Sequence, residues 1–264
     1  MLNKNLIVKH FSKAATAYDE YANVQKKMAL FLNQIMEKKA NAQILEIGCG
    51  TGYLTKIIAD NFPDAIILAT DISLDMLQTA KYKLRNYKNI SYAVVDGEKI
   101  VSDKKYDLII SNAAFQWFSD YKQAFKRFFE ILKHDGYLIY STFGPETFKE
   151  LNQSFAYAYQ VNNVKSNYAI GPAFLKMKEL SQIATDVGFV DCHQEKFYTE
   201  YFSSPKDFLQ SIKKIGANNS SQSNNVLIHR KVMLDMITYY QEKFFKGDQV
   251  YTTYHAIYGK NKKI

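Results

Sequence analysis

Three glycines at alternate positions, Gly48, Gly50 and Gly52, follow directly behind a short apolar run, and few folds accommodate this arrangement. The apolar run, Gln43 to Ile47, predicts a strand buried in a parallel sheet, and Tyr53 to Phe62 predicts a helix. Glycine lets the backbone turn beneath a ligand where a side chain would collide. A strand, a glycine turn and a helix in this order predict a cofactor site of the kind that binds nucleotides.

The spacing of these glycines is GxGxG and not the GxGxxG of dinucleotide folds, in which the third glycine and a helix N-terminus hold a pyrophosphate. A tight GxGxG turn suits a ligand without phosphate, such as S-adenosylmethionine. A second predicted strand, Ala65 to Thr70, ends in Asp71, where a carboxylate can accept hydrogen bonds from both ribose hydroxyls. Ser73 predicts the N-cap of a helix that continues to about Arg85.

Strands and helices continue to alternate along the chain, which predicts a doubly wound sheet. Further strands are predicted over Ile90–Val95, Tyr106–Ser111 and Gly136–Thr142, with a helix over Asp120–Leu132. Ligands of such folds bind at the carboxyl ends of the strands, where the glycine turn, Asp71, Asp96 and Asn112 converge. The predicted fold class is α/β, with a mostly parallel, seven-stranded, Rossmann-like sheet, an N-terminal helical cap and a helical lid insertion.

This pattern resembles the core of the class I methyltransferases, and the resemblance implies an adenine site near Asp96, Gly97 and Glu98. Ahead of the core, an apolar stripe at helical spacing predicts an amphipathic cap. Tyr18 and Gln25 bring polar groups to that stripe, either to close over the cofactor or simply to pack. The residues predicted to contact the cofactor are Tyr18, Gln25, Glu46, Gly48, Cys49, Gly50, Gly52, Asp71, Ile72, Met76, Asp96, Gly97, Glu98 and Asn112.

The chain has 264 residues, of which 47% are hydrophobic, and this predicts one globular domain. Its expected parts are a cap (1–40), a cofactor core (41–145), lid helices (146–188) and C-terminal strands and helices that complete the sheet and the substrate side (189–264). The polar stretch 218–225 is expected to be a loop. No signal peptide or membrane span is recognisable, so a cytoplasmic protein is expected.

The cysteine content, the absence of hydrolase motifs and the net charge limit the classes of function further. Cys49 and Cys192 are the only cysteines, and they predict neither a disulfide framework nor a metal site. Neither a GxSxG elbow nor an HExxH helix supports a hydrolase. The net charge of +8 favours an acidic partner, but the many aromatic residues form no nucleic-acid-binding motif, so nucleic acid is not expected.

Five segments resemble the malonyl-acyl-carrier-protein O-methyltransferases of biotin synthesis, the BioC family. They span nearly the whole chain, and the last two are the most particular to that family. The segments are HFSKAA with Tyr18-Asp19 and Val24-Gln25, SNAAFQW (111–117), STFGPETFKEL (141–151), SIKKIGAN (211–218) and TYHAIYG (253–259). The stretch 162–172 shows no clear match to the family.

The resemblance implies that the methyl group of S-adenosylmethionine passes to the free carboxylate of malonyl-acyl-carrier protein, leaving S-adenosylhomocysteine. A malonyl carboxylate with a pKa near ~4 is ionised at neutral pH, so no general base is expected. Tyr18, Phe115, Trp117 and Phe143 are the residues predicted to position the reactants and exclude water. Basic faces would dock the acidic carrier, and Lys213 and Lys214 are the first candidates because they lie in a family-like segment.

Two other functions remain open at this stage. The chain is also compatible with a methyltransferase of a free small carboxylic acid or of a quinone precursor. It is compatible, too, with a cofactor-binding assembly or scaffold protein, although an intact glycine turn with Asp71 favours an active site.

Overall fold

The structure is a computed structural model that describes residues 2–37, 39–164, 171–217 and 230–264. Strands and helices alternate through its central part, and most bounds fall within two residues of those predicted. The helices are α1 (Lys4–Ala14), α2 (Tyr18–Tyr21), α3 (Asn23–Ile35), α4 (Tyr53–Asn61), α5 (Leu74–Lys83), α6 (Tyr121–Ile131), α7 (Lys149–Val161), α8 (Met177–Val187), α9 (Pro205–Lys214) and α10 (Arg230–Lys243). The strands are β1 (Gln43–Ile47), β2 (Ile66–Asp71), β3 (Ile90–Val94), β4 (Tyr106–Asn112), β5 (Leu132–Phe143), β6 (Phe189–Phe202), β7 (Phe245–Lys246) and β8 (Gln249–Lys263).

Seven strands form one open sheet in the order β3-β2-β1-β4-β5-β8-β6, and the two-residue β7 pairs with β8. The first five strands are mutually parallel, and only β8 runs against its neighbours β5 and β6. The mostly parallel seven-stranded sheet is therefore confirmed. The strand order reverses between β1 and β4, and an open α/β sheet forms its ligand crevice at this switch point.

Helices cover both faces of the sheet. Successive residues of β1, such as Ile44 and Leu45, point to opposite faces, and these two belong to separate hydrophobic clusters. One cluster takes in α3, α4, α7, α9 and α10, and the other takes in α6 and α8. The two helices of the expected lid, α7 and α8, thus belong to opposite layers, and the described parts of the link between them are residues 162–164 and 171–176.

The structure corrects three of the predicted boundaries. The cap consists of three helices, because the chain leaves the helix at residues 15–17 and again at Ala22. Helix α5 ends at Lys83, two residues before the predicted Arg85. Strand β5 begins at Leu132 and not at Gly136, because Leu132 already pairs with Tyr106 of β4 before a shift in register.

Two further sequence expectations concern the loops and the membrane. The polar stretch 218–225 lies outside the described residues. Within the described ranges, no helix is both long and apolar enough to cross a bilayer.

Candidate active site

At two positions of the turn after β1, glycine adopts a left-handed φ and lets another part of the chain approach closely. Gly48 has a φ of +70°, and a Cβ added to it would lie 2.5 Å from the Cβ of Ala114. Gly52 has a φ of +89°, but an added Cβ would meet Leu84 and Ala80 of the α5 region at 3.0 and 3.1 Å. Glycine at position 48 therefore allows Ala114 to approach the turn closely in the wall of the cofactor cleft. Gly52 is not among the residues that line the cleft, and its free side admits a neighbouring helix, so its predicted contact with the cofactor stays a prediction.

Asp71 fastens the end of β2 to the glycine turn. Its Oδ2 accepts a hydrogen bond from the Gly50 amide at 2.9 Å, and its Oδ1 accepts one from the Ser73 amide at 2.8 Å. Burial raises the pKa of this carboxyl, while the backbone amides oppose the rise by favouring the ionised form. The carboxylate is thereby held at the edge of the cleft, in a position to accept hydrogen bonds from a ribose.

A cleft of about 660 Å³, open to solvent on one side, lies over the carboxyl ends of β1, β2, β3 and β4. Many of the predicted cofactor residues meet in its wall. Its lining includes Tyr18, Gly48, Gly50, Asp71, Ile72, Met76, Asp96, Gly97 and Asn112, together with Lys4, Ile7, Phe11, Ala113, Trp117 and Phe118.

A smaller recess of about 400 Å³ continues from the cleft beneath the cap and is lined in part by Glu46, Cys49 and Gln25. The side chain of Glu46 is only 1% exposed, and its Oε2 lacks a hydrogen bond of normal geometry. Burial raises the pKa of Glu46 to about 8, the nearby Asp71 adds to the rise, and the Thr55 hydroxyl opposes it. A buried carboxyl without a full set of partners is suited to receive a cationic group.

Ion pairs hold α1, the first helix of the cap, against the end of the cleft that Asp96 lines. The Lys4 ammonium lies 3.2 Å from Asp96 Oδ1 and 2.7 Å from Glu98 Oε2. Glu98 also accepts hydrogen bonds through Oε1 from the amides of Ser119 and Asp120, and it does not line the cleft. The carboxylate of Glu98 thus anchors α1 and the start of α6, and the predicted contact of Glu98 with the cofactor stays a prediction.

A second set of polar contacts holds the remainder of the cap. The Thr51 hydroxyl donates to Asp19 Oδ1 at 2.5 Å, and Lys83 pairs with the other oxygen of Asp19. The Asn112 amide donates to the backbone oxygen of Gln25 at 3.0 Å. Lys4 and Asp19 were not among the predicted site residues. The only sequence signal for Asp19 was its place in the family-like Tyr18-Asp19 pair.

A second, mainly apolar pocket of about 490 Å³ adjoins the cofactor cleft. The two cavities share four wall residues, namely Phe11, Tyr18, Ala113 and Trp117. The remaining walls of the second pocket are Gln25, Gln116, Phe143, Thr147, Phe148, Gly171, Pro172, Phe174, Ile215, Ala217 and Tyr254. These described lining residues include no lysine, arginine, histidine, aspartate or glutamate, so the described walls carry no charged side chain.

Trp117 and Tyr18 stand at the junction of the two cavities. Trp117 is 8% exposed, its ring packs edge-on against Phe11 at 5.6 Å, and its Nε1 has no hydrogen-bond partner among the described residues. Tyr18 is half-buried, and its low-polarity surroundings together with Asp71 and Asp19 raise the pKa of its hydroxyl. Two neutral hydrogen-bond donors are thus placed between the cofactor cleft and the apolar pocket.

Phe115 was predicted to line the reaction pocket, and this is corrected. Its side chain is fully buried and lines neither cavity. Its ring stacks on Phe118 and Phe128 at 4.8 and 5.5 Å and lies 4.9 Å from Tyr140. Phe115 therefore forms the packed base on which the short helical turn carrying Trp117 rests.

The predicted docking lysines lie beside the apolar pocket. Lys213 and Lys214 occupy the last turn of α9, and both are exposed. Ile215 and Ala217, which follow them immediately, line the pocket. The two lysines consequently flank a wall of the pocket at the molecular surface.

The cavities and their donors fit S-adenosylmethionine. Gly48 and Gly50 present a wall without side chains to the cleft, Asp71 presents oxygens at the strand end, and Glu46 is a buried acid with unfilled hydrogen-bonding capacity. The sulfonium ligand carries a ribose and an α-amino group, for which these two carboxyls are suited.

Comparison with known proteins agrees with this site. The family model of the methyltransferase domain matches residues 45–140. The chain is 40% identical to the malonyl-[acyl-carrier protein] O-methyltransferase of Bacillus anthracis, over 98% of this chain and 97% of that protein. It is 39% identical to the enzyme of that name from Acetivibrio thermocellus, over 100% of this chain and 95% of that protein.

A solved structure of similar fold is the YcgJ protein from Bacillus subtilis. It superposes with a TM-score of 0.63 at 15% identity, and covers 90% of this chain and 98% of that chain. This likeness shows the fold, while the similarity in sequence along the whole chain shows the family. The chain belongs to the family of the malonyl-[acyl-carrier protein] O-methyltransferases.

Proposed function

We propose that this protein transfers the methyl group of S-adenosylmethionine to the free carboxylate of malonyl-acyl-carrier protein. The observation that carries the proposal is the pair of cavities joined at Tyr18 and Trp117. One cavity suits a nucleoside ligand, and the other is a neutral, aromatic pocket suited to a short acyl group. Full-length relatives that bear this enzyme name support the proposal.

The cofactor is proposed to lie along the strand ends. Asp71 would accept hydrogen bonds from the ribose hydroxyls, and Asp96 and Gly97 would border the adenine. Glu46 would receive the α-amino group, with the backbone of the glycine turn beside it. Cys49, Ile72, Met76 and Asn112 would complete the walls, and Gln25 would cover the site from the cap.

The bound cofactor supplies an electrophilic methyl group. The residues of the chain need only hold the acceptor oxygen in line and keep water away, because a malonyl carboxylate is already ionised at neutral pH. Well-oriented reactants can save roughly 7–11 kcal/mol of the barrier. Tyr18 and Trp117 would orient the carboxylate with their hydrogen-bond donors, and Phe143 would exclude water.

The neutrality of the acceptor pocket matters for the chemistry. A lysine or arginine beside the carboxylate would stabilise the negative charge before the reaction. This stabilisation would be lost when the neutral ester forms, so it would raise the barrier to transfer. Neutral donors hold the anion more weakly, and in a partly desolvated pocket the attacking oxygen is more reactive. The absence of cationic residues from the described lining is therefore favourable for transfer.

The product is expected to serve as a primer for the pimeloyl chain of biotin. Methylation removes a charge that would be costly to bury in the apolar tunnels of chain-elongating enzymes. The acyl-carrier partner is acidic, and Lys213 and Lys214 beside the pocket are proposed to dock it. Because the methyl donor and the carrier both belong to the cytoplasm, we propose that compartment for the protein.

The test is transfer of label from methyl-labelled S-adenosylmethionine to malonyl-acyl-carrier protein, with acetyl-acyl-carrier protein, malonyl-CoA and malonate as parallel acceptors. We expect label on the malonyl carrier and none on the acetyl carrier, which lacks a free carboxylate. Equal labelling of free malonate would instead indicate a small-acid methyltransferase. Cofactor binding with no labelled product from any acceptor would indicate a scaffold protein.

A further inference from the structure

Helix α1 has two functional faces. Lys4, Ile7 and Phe11 follow one another at helical spacing, and all three line the cofactor cleft. Lys9 and Lys13 are four residues apart on the outer side, where both are exposed. A ligand in the cleft is therefore covered on one side by the same helix that presents two lysines to solvent.

The outer face of α1 adjoins the C-terminal end of α9. Gly216 packs so closely against α1 that an added Cβ would lie 3.0 Å from the backbone oxygen of His10. His10 is itself flanked by Lys9 and Lys13, whose charges, after burial, help to lower its pKa. Lys213 and Lys214 precede Gly216 by only a few residues, so the lysines of both helices border one surface, which we call the α1–α9 surface.

The four lysines of the α1–α9 surface have no ion-pair partner in the part of the chain that the structure describes. Some lysines elsewhere are neutralised by neighbouring acids, as Lys83 is by Asp19 and Lys262 is by Asp135, whereas others, such as Lys126 and Lys178, have no described ion-pair partner. An unneutralised basic surface beside the acceptor pocket is complementary to an acidic protein.

We propose that the acidic carrier protein docks across both helices of the α1–α9 surface and thereby holds α1 down over the bound cofactor. This inference rests on the proposed function and extends it, since carrier docking and cofactor retention become energetically coupled. The coupling is reciprocal: a carrier that tightens cofactor binding must itself bind more tightly when the cofactor is present.

The attachment of α1 makes such coupling physically reasonable. Near its ends, α1 is held by the Lys4 ion pairs and by a 3.0 Å hydrogen bond between the hydroxyls of Ser12 and Ser73. Among its residues, only Ile7 and Ala14 are fully buried. A helix with so few anchors can separate from the core more readily than the sheet can open, and a docked partner would oppose that separation.

The experiment measures the Kd of S-adenosylhomocysteine, which cannot transfer a methyl group, with and without saturating malonyl-acyl-carrier protein. We expect the carrier to lower this Kd at least about 5-fold, the lower end of usual couplings between sites. The K9E/K13E double variant should bring the ratio of the two Kd values close to one. The matched control is K126E/K178E, which reverses two exposed, unpaired lysines on α6 and α8 and should keep the wild-type ratio.

Two results would overturn the inference. The first is a ratio of one for the wild-type protein. The second is a ratio that K9E/K13E leaves unchanged at a carrier concentration that saturates the variant. Either result would show that α1 does not couple the sites. Failure of the proposed function is distinguishable, because the malonyl carrier would then remain unlabelled by the wild-type enzyme. Comparing K213E/K214E in the same titration tests the α9 half: it should raise the Kd of the carrier at low salt.

Discussion

Replacement of Glu46 by glutamine is expected to change how the stability of the ligand-free protein depends on pH. Glu46 has a folded pKa of about 8, against an ordinary value of 4.5. A carboxyl whose pKa is raised by folding contributes stability below its unfolded pKa, and this contribution is lost as the pH rises toward the folded pKa. The wild-type protein should therefore lose stability between about pH 4.5 and about pH 8 through this one group.

The magnitude follows from proton linkage. Between the two pKa values the unfolded chain has released the proton and the folded chain retains it, so each pH unit costs about 1.4 kcal/mol. From about pH 5.5 to about pH 7.0 the expected loss is about 2 kcal/mol. Glutamine has nearly the same shape and does not titrate, so the Glu46→Gln variant should lack this component.

The assay is urea unfolding of wild type and Glu46→Gln at both pH values without cofactor. Other titrating groups contribute equally to both proteins, so the difference between their unfolding free energies isolates Glu46. That difference should shift in favour of the variant by about 2 kcal/mol as the pH rises. A difference that stays constant between the two pH values would refute the reasoning and would mean that Glu46 is already ionised in the folded protein.

Three further predictions concern the cleft and its cap. Tyr18→Phe should retain the wild-type melting temperature but lose most activity, because only a hydroxyl at the junction is removed; full activity would exclude that hydroxyl from the reaction. Gly48→Ala should lower the free energy of unfolding by about 1–2 kcal/mol from its left-handed φ alone. The clash with Ala114 adds to this loss, and urea unfolding should show that a second substitution, Ala114→Gly, restores the added part; no restoration would disprove this contact. Asp19→Asn should raise the Kd of S-adenosylhomocysteine several-fold by weakening the contact with Thr51, and calorimetry showing an unchanged Kd would contradict it.

The parts of the site that sequence predicted correctly are local. The glycine turn, the acid at the end of β2 and the Ser73 cap each depend on residues within a few positions of one another, and backbone preferences decide them. The alternation of strands and helices then places their carboxyl ends along one edge. This is why Asp71, Asp96 and Asn112 all line the cleft as expected.

The direction of a side chain could not be predicted from a local pattern. Gly52, Glu98 and Phe115 lie in the predicted segments, and their described contacts are with neighbouring elements. Proximity in sequence does not determine which side of a turn meets the cavity, because that depends on the elements packed behind it. Lys4 gave no local signal at all, since its partners are more than 90 residues away.

The amino-acid sequence by itself determined the doubly wound sheet, the nature of the cofactor and the family, because these follow from local periodicity, glycine spacing and motif identity. Only the tertiary structure decided that the apolar pocket adjoins the cofactor cleft at Trp117, and that the residues following α9 pack against α1. These features join segments that lie far apart in the chain, and their geometry is set by the packing of helices on the sheet, which no local pattern specifies.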